Sequence, residues 1–506
     1  MRDMPDTAPE FLITAEDAYP AFERMILAAQ KDVMISMRLF DPATKLRSPE
    51  AKELGDTWSA LIAHKLAGGV TFTVWITDFD PVARPDMHRY SWECLSRLKA
   101  SGTASGRPER LTADVLMHPD RVPWPQRIAL TPATRAKLQD TCDQLNSKTA
   151  DDRDHALRYM PSLRPLLRNT GGTLAPRIWP PAPLVPATHH QKVAVVDGEH
   201  LYIGGLDLNP RRFDTKKHDQ KSERTWHDVQ VRVHDPVLAQ AAKAHLEALR
   251  TGNVTKPVPG FLRTQSLATK GATGSLGPRE VVHELEDAHL DLIANARDFI
   301  YVETQFLRSS TITNALVDAA RRRPGLNLMV VLPAAPEDVA FDGSDGLDAR
   351  YGEQLQGDAV SDVISAFGSR CAFLTPAQCR PGPTDGRDSF KGAPIVYVHA
   401  KVLIADATRA LVSSANMNAR SMRWDTEAGL LIDDRDDAAR LFHQCRRHWL
   451  QGAPMANPKR ATHWTTAARA NAAAKPQERR HFLLPYDTEP AKEMGAHIPG
   501  MPEAMV

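Results

Sequence analysis

Two stretches of the chain carry the same reactive side chains at the same spacing. His190 and Lys192 are followed five residues on by Asp197, and His399 and Lys401 are followed five residues on by Asp406. Residues two apart on a strand point to the same side, so each imidazole shares a face with its lysine. Beyond each aspartate comes a corner of small residues, Gly204-Gly205-Leu206-Asp207 in one case and Ser413-Ser414-Ala415-Asn416 in the other. An imidazole beside a lysine, over a turn rich in small residues, suits a phosphate. The lysine supplies charge, and the small residues let polar groups approach the oxygens closely. A lone His-x-Lys says little, because a strand histidine near a lysine is usually surface decoration. Two copies with shared downstream spacing mark a repeated phosphate-binding pattern.

The elements that must position these residues also occur twice. The first half reads as a helix (AFERMILAAQ), a strand from Asp32, a short helix, a strand from Val70, a long excursion, a strand pair over HQKVAVVDGEHLYIGG turning at Asp197-Gly198, a strand VQVRV and a closing helix. The second half repeats that order, from the helix VVHELEDAHLDLIANA through a strand at Asp298, LNLMVVLP and the strand pair HAKVLIADATRALVSSAN to AGLLID and a last helix. Such a repeat predicts an α/β fold of two similar lobes, each a mixed sheet flanked by helices, with the site at their interface. The expected division is a first lobe over 1–250, a linker over 251–282, a second lobe over 283–455 and an irregular arm over 456–506. The linker reading rests on Gly, Thr, Ser, Pro and Lys without periodicity. The Pro- and Arg-rich stretch 101–185 reads as an insertion, either a wall of the substrate pocket or a surface addition.

Bulk properties narrow the partners. At 506 residues the chain exceeds what one core usually organises. A net charge of +1 and a pI near 7.8 give no global reason for a polyanion, so nucleic acid is not the expected partner. Five cysteines without metal-ligand spacing point to free thiols in a reduced compartment. Acids near the start and the lack of an apolar run argue against a cleaved signal, and no window is long enough to span a bilayer. The expectation is a cytoplasmic protein, or one exported without a cleaved signal peptide, that meets membranes only peripherally. No metal and no cofactor are expected, and one chain can complete the site as a monomer.

The segments around the motifs resemble the phospholipase D superfamily, the HKD enzymes. HHQKVAVVDGEHLYIGGLDL, followed by RRFDTKKHD and TWHDVQVRVHDP, is similar to the first catalytic region of the eukaryotic-type branch. IYVETQFL resembles its IYIENQ-type strand, and YVHAKVLIADATRALVSSANMNARSM with WDTEAGL resembles its second catalytic region. The resemblance implies that His190 is a nucleophile forming a phosphohistidine, and that His399 protonates the leaving alcohol and then activates water. It implies that Lys192 and Lys401 hold the non-bridging oxygens and that Asn416, Ser414 and Gly205 line the phosphate. Asp207 is anionic and cannot donate to a phosphate, so its role there is supporting. Ser413 stands where glycine is usual. The substrate implied is a phospholipid such as phosphatidylcholine, hydrolysed to phosphatidic acid with possible transfer to another alcohol. The alternatives are a phospholipid synthase or nuclease of the same superfamily, and a silent lipid-tethering protein.

A histidine acting as nucleophile or acid must be held in one tautomer, normally by a carboxylate on its other nitrogen. Asp228 and Glu427 begin the strands after the two motifs at equivalent positions, so the expectation pairs Asp228 with His190 and Glu427 with His399. Asp197 and Asp406 belong to the catalytic motif, though at strand turns they suit bracing better than substrate contact. His189 should face away from His190 and be structural.

Overall fold

In each half of the chain an edge strand is followed by a helix leading into an apolar strand, and matching elements come after in both. In the computed structural model, which describes residues 8–506 apart from 178, 270–275 and 384–385, the first half builds a seven-stranded sheet. Its strands are β1 (Glu10–Ile13), β2 (Asp32–Met37), β3 (Thr71–Thr77), β4 (Leu111–Leu116), β5 (Lys192–Val196), β6 (His200–Gly204) and β7 (Val229–His234), in the spatial order β1-β7-β6-β5-β2-β3-β4. The second half builds a nine-stranded sheet from β8 (Phe261–Leu267), β9 (Arg279–His283), β10 (Phe299–Glu303), β11 (Asn327–Val331), β12 (Cys371–Pro376), β13 (Val402–Ala405), β14 (Arg409–Ser413), β15 (Glu427–Ile432) and β16 (Leu483–Pro485). Its order is β9-β8-β15-β14-β13-β10-β11-β12-β16. The run β8 to β12 reproduces the first sheet strand for strand, and β9 and β16 extend its edges. The internal repeat is therefore structural.

Alternation along the strands sorts their side chains into layers. Val193 and Val195 of β5, with Val402 and Ile404 of β13, enter one central core that also holds the apolar faces of helices α2 (Pro236–Leu249) and α4 (Arg435–Trp449). Ala194 and Val196 turn the other way, onto α1 (Thr14–Ala28), and Leu403 and Ala405 turn onto α3 (Glu284–Asn295). Because α4 carries Asp434 as its cap, Asp436 and Asp437 in its first turn and Arg446, Arg447 and His448 in its last, its ends complement the helix dipole.

Three boundaries differ from the sequence expectation. The supposed linker 251–282 contains β8, a sheet member; its residues 270–275 lie outside the described ones. Its Thr and Ser positions misled because β8 pairs on both sides and is fixed by the ladder rather than by its own propensity. The supposed insertion 101–185 begins with β4, an edge strand of the first sheet, before building a small helical core around Leu138, Cys142, Leu145 and Leu163. The supposed irregular arm contains a helix, Ala461–Ala473, and β16, which pairs with β12. Among the described residues no helix is long and apolar enough to cross a membrane.

Candidate active site

Each motif strand begins where the lobes meet. Just before β5, the backbone of His189 bridges that of Thr426, and both His190 N and Gln191 N donate to Thr426 O at 2.7 and 2.9 Å. Just before β13, Val398 bridges His227, and His399 N donates to His227 O at 2.8 Å. Each catalytic-type histidine is thus stitched to the residue that precedes the carboxylate of the other lobe.

The carboxylate pairing is consequently crossed, which corrects the expected assignment. His190 Nδ1 lies 2.8 Å from Glu427 Oε1, and His399 Nδ1 lies 2.7 Å from Asp228 Oδ2. Aligning the repeats found the right four residues but joined each carboxylate to its own motif; the interstrand bridges carry it across instead. The two contacts are not equal. His399 and Asp228 are aligned as a hydrogen bond, whereas His190 Nδ1 and Glu427 Oε1 are close but off its line.

All four groups and both lysines are buried. Burial, reinforced by Lys192 and Arg38, lowers the His190 pKa well below the usual imidazole range; burial with Lys401 and Lys192 does the same to His399. Burial raises Asp228 to about 7 and Glu427 to about 8, against the opposing pull of the lysines. It lowers Lys401 to about 7, against the pull of Asp228. A cluster of this kind holds neutral imidazoles with bare Nε2 atoms until an anion arrives. A phosphate diester would reverse the balance, because its charge favours protonated histidine and lysine.

The remaining expected residues divide by location. Lys192 Nζ and Lys401 Nζ each donate to the carbonyl of the histidine two residues earlier. Gly205 is required by space: a Cβ there would come within 2.2 Å of Asp228 Oδ1. The matching Ser414 instead places its hydroxyl on Glu427 Oε2. Asp207 Oδ1 accepts Leu39 N at 3.0 Å and stands 3.9 Å from Lys192 Nζ, while Asn416 Oδ1 is buried without a partner. Asp197 and Asp406 lie at the turns at the far ends of β5 and β13, with φ of 55° each. Asp197 accepts the backbone N–H groups of Gln30, Lys31 and Asp32, and Asp406 those of Arg297, Asp298 and Phe299. They clamp the helix-to-strand connections and do not join the histidines. His189 packs structurally, its Nδ1 3.0 Å from Thr426 Oγ1.

Sequence reasoning missed three arginines and a tryptophan. The charges of Arg38, Arg212 and Arg420 reach the two histidines, and the Trp226 ring lies 4.5 Å from that of His399 with Arg212 3.5 Å above it. Arg212, Trp226 and Arg420 stand inside the blocks that carried the family resemblance, which was the available signal.

Fold and site together define a two-lobed α/β protein with one paired-histidine centre shared between lobes. Residues 289–449 match the family model described as cardiolipin synthase, PLD-like domain. Phospholipase D1 of Saccharomyces cerevisiae is 27% identical over 342 residues, covering 49% of this chain and 20% of that protein. Phospholipase D alpha 1 of Carica papaya is 23% identical over 388 residues, covering 53% and 48%. The chain thus matches at most about half the length of these relatives. The crystal structure of phosphatidylserine synthase from Haemophilus influenzae superposes with a TM-score of 0.48 at 12% identity, covering 88% of this chain and 86% of that one. The second half of the chain thus carries a PLD-like domain, and the chain is similar at low identity to phospholipases D.

Proposed function

We propose that this protein is a phospholipase D that cleaves the distal phosphodiester of phosphatidylcholine or a similar phospholipid through a phosphohistidine. The observation that carries the reading is the crossed arrangement, in which two buried histidines, each facing the other lobe's carboxylate at Nδ1, share one site with two lysines. His190 Nε2 attacks phosphorus; the headgroup oxygen leaves with the proton of His399 Nε2. His399, now neutral, takes a proton from water, whose oxygen attacks phosphorus and returns the bonding pair to His190. Lys192 and Lys401 offset the charge on the non-bridging oxygens, Asn416 adds a hydrogen bond, and Asp207 steadies Lys192. An alcohol in place of water gives transphosphatidylation. That second step is the chemistry of a phospholipid synthase, which the description of the matched family model favours as the alternative.

Contact with a lipid surface is supported by the stretch after β4. Trp124 and Trp179 are 42% and 67% exposed, with ring centroids 5.5 Å apart, and Arg127 sits over Trp124. Exposed tryptophans beside a cation suit the membrane–water boundary. Replacing both by alanine should weaken binding to phosphatidylcholine vesicles doped with an anionic lipid about tenfold while leaving turnover of a soluble short-chain substrate unchanged.

The main test is to trap a labelled phosphoenzyme during headgroup release from a panel of phospholipids and DNA. His190→Ala should lose the label and about 10⁴-fold or more of kcat. Label retained on that variant removes His190 as nucleophile, and release from DNA alone removes the phospholipid reading.

A further inference from the structure

Behind the candidate active site, three more histidines meet that neither the motifs nor the proposed reaction uses. His218 comes from the loop before β7, His227 immediately precedes Asp228, and His448 ends α4. One nitrogen from each lies within 4.8 Å of the others, and all three residues are buried. His218 Nε2 and His448 Nε2 face each other at 3.0 Å. Zinc binds imidazole at about 2.0–2.1 Å, so two nitrogens on one tetrahedral ion sit about 3.4 Å apart, close to this spacing.

The outer contacts fix which lone pairs point inward. His218 Nδ1 meets Asp214 Oδ2 at 2.6 Å, and His227 Nε2 meets Glu303 Oε2 at 2.6 Å. Each histidine therefore donates outward to a carboxylate and keeps its other nitrogen bare, the pattern found around metal-ligating imidazoles. His227 Nδ1 is that bare nitrogen, in a residue with 0% exposure, and it is buried without a partner. His448 Nδ1 also lacks one.

The two carboxylates are themselves firmly held. Asp214 receives hydrogen bonds from His218, Gln220 and the backbone of Thr215 and Trp226; Glu303 receives them from His227, Tyr301 and Trp449. Among the described residues neither carboxylate pairs with lysine or arginine. An approach exists as well, since His448 lines a surface cavity of about 510 Å³ that reaches Asp17 and Gln444.

We propose that His218, His227 and His448 hold one divalent transition-metal ion of the zinc class, which ties the two lobes together. The first two ligands and Asp214 belong to the first lobe; His448 and Glu303 belong to the second. The ion's role is structural, and the proposed phosphohistidine chemistry does not pass through it.

The test uses the full chain, stripped with a chelator and titrated with Co²⁺ and then Zn²⁺. The wild type should take up about one equivalent, show visible ligand-field bands, and melt at a higher temperature with zinc than without. His448→Ala should abolish the bands, and Glu303→Gln should weaken zinc binding by about 10–100-fold. His234→Ala, at the surface pair His200–His234, should change nothing. Should His448→Ala fail to fold, the Glu303→Gln affinity decides. No uptake by the wild type overturns the proposal. Uptake undiminished in both His448→Ala and Glu303→Gln overturns it too, because the metal then sits elsewhere.

Discussion

The two half-sites began from one pattern and have diverged. His399 is held by a short aspartate through a well-aligned hydrogen bond, over a corner whose Gly205 leaves room for that carboxylate. His190 is held by a longer glutamate, off the hydrogen-bond line, and that glutamate is steadied from behind by Ser414. The corner with the anionic Asp207 belongs to the lobe of His190, and the corner with the neutral Asn416 to the lobe of His399. An imidazole that must gain and lose a proton gains most from a carboxylate locked on its Nδ1. An imidazole that must attack needs a bare Nε2 and freedom to move toward phosphorus. The asymmetry fits the proposed division of labour, with His399 as acid–base and His190 as nucleophile.

The largest expected effect comes from exchanging charge for geometry at the two carboxylates. Asp228→Asn should lower kcat on a phospholipid about 10³–10⁴-fold, by analogy with the loss of a tautomer-fixing aspartate in a hydrolase triad. The loss in the first step, read as the burst of nitrophenolate release, should largely vanish with a phosphodiester whose leaving group is a nitrophenolate, since no acid is then needed, while the water step stays slow. Glu427→Gln should slow both substrates alike, because it acts on His190. If the leaving-group rescue appears in Glu427→Gln instead, the crossed pairing or the assignment of roles is wrong.

Most of this was legible in the sequence, for identifiable reasons. Repeated spacing exposed His190, Lys192, His399 and Lys401, and strand alignment found Asp228 and Glu427. What stayed hidden depends on the packing of one lobe against the other. No local pattern says that Thr426 pairs with His189 and His190, so the exchange of carboxylates between lobes was invisible. Strand β8 was lost for a similar reason: TQS in its middle reads as loop, yet it is fixed by β9 and β15 on either side. Arg38 and the cluster of His218, His227 and His448 are separated along the chain and meet only in the fold.

A middling effect should separate the corners. Gly205→Ala forces a Cβ to within 2.2 Å of Asp228 Oδ1, and a displaced orienting group of this kind costs about 10²-fold in rate. Ser414→Ala removes only a hydroxyl from Glu427 Oε2, and should lower kcat about threefold to tenfold, the range of one neutral hydrogen bond. Equal losses at the two corners would mean that the carboxylates are held in the same way and that the asymmetry is incidental.

The smallest effect is a difference in how stability depends on pH. Burial first, then neighbouring charge, sets Asp228 at about 7 and Glu427 at about 8 in the fold, against ordinary values of 3.8 and 4.5. A carboxyl with a raised folded pKa binds more protons folded than unfolded across that window. Its contribution is therefore fully present below the unfolded value and is lost as pH rises through the folded one. Asn and Gln replacements remove that slope. The melting temperature of Glu427→Gln, relative to the wild type, should climb by a few degrees between pH 5 and pH 8 and then level. The gain of Asp228→Asn should level about one pH unit earlier, as the separation of the two folded values requires. Melting curves of the substrate-free protein across that range measure both. Parallel curves for wild type and variants would show that these carboxylates are already ionised in the fold, with the lysines outweighing burial. In that case each fixed anion would hold the proton on Nδ1 of a neutral imidazole and leave Nε2 bare for the attack, without help from a protonated carboxyl.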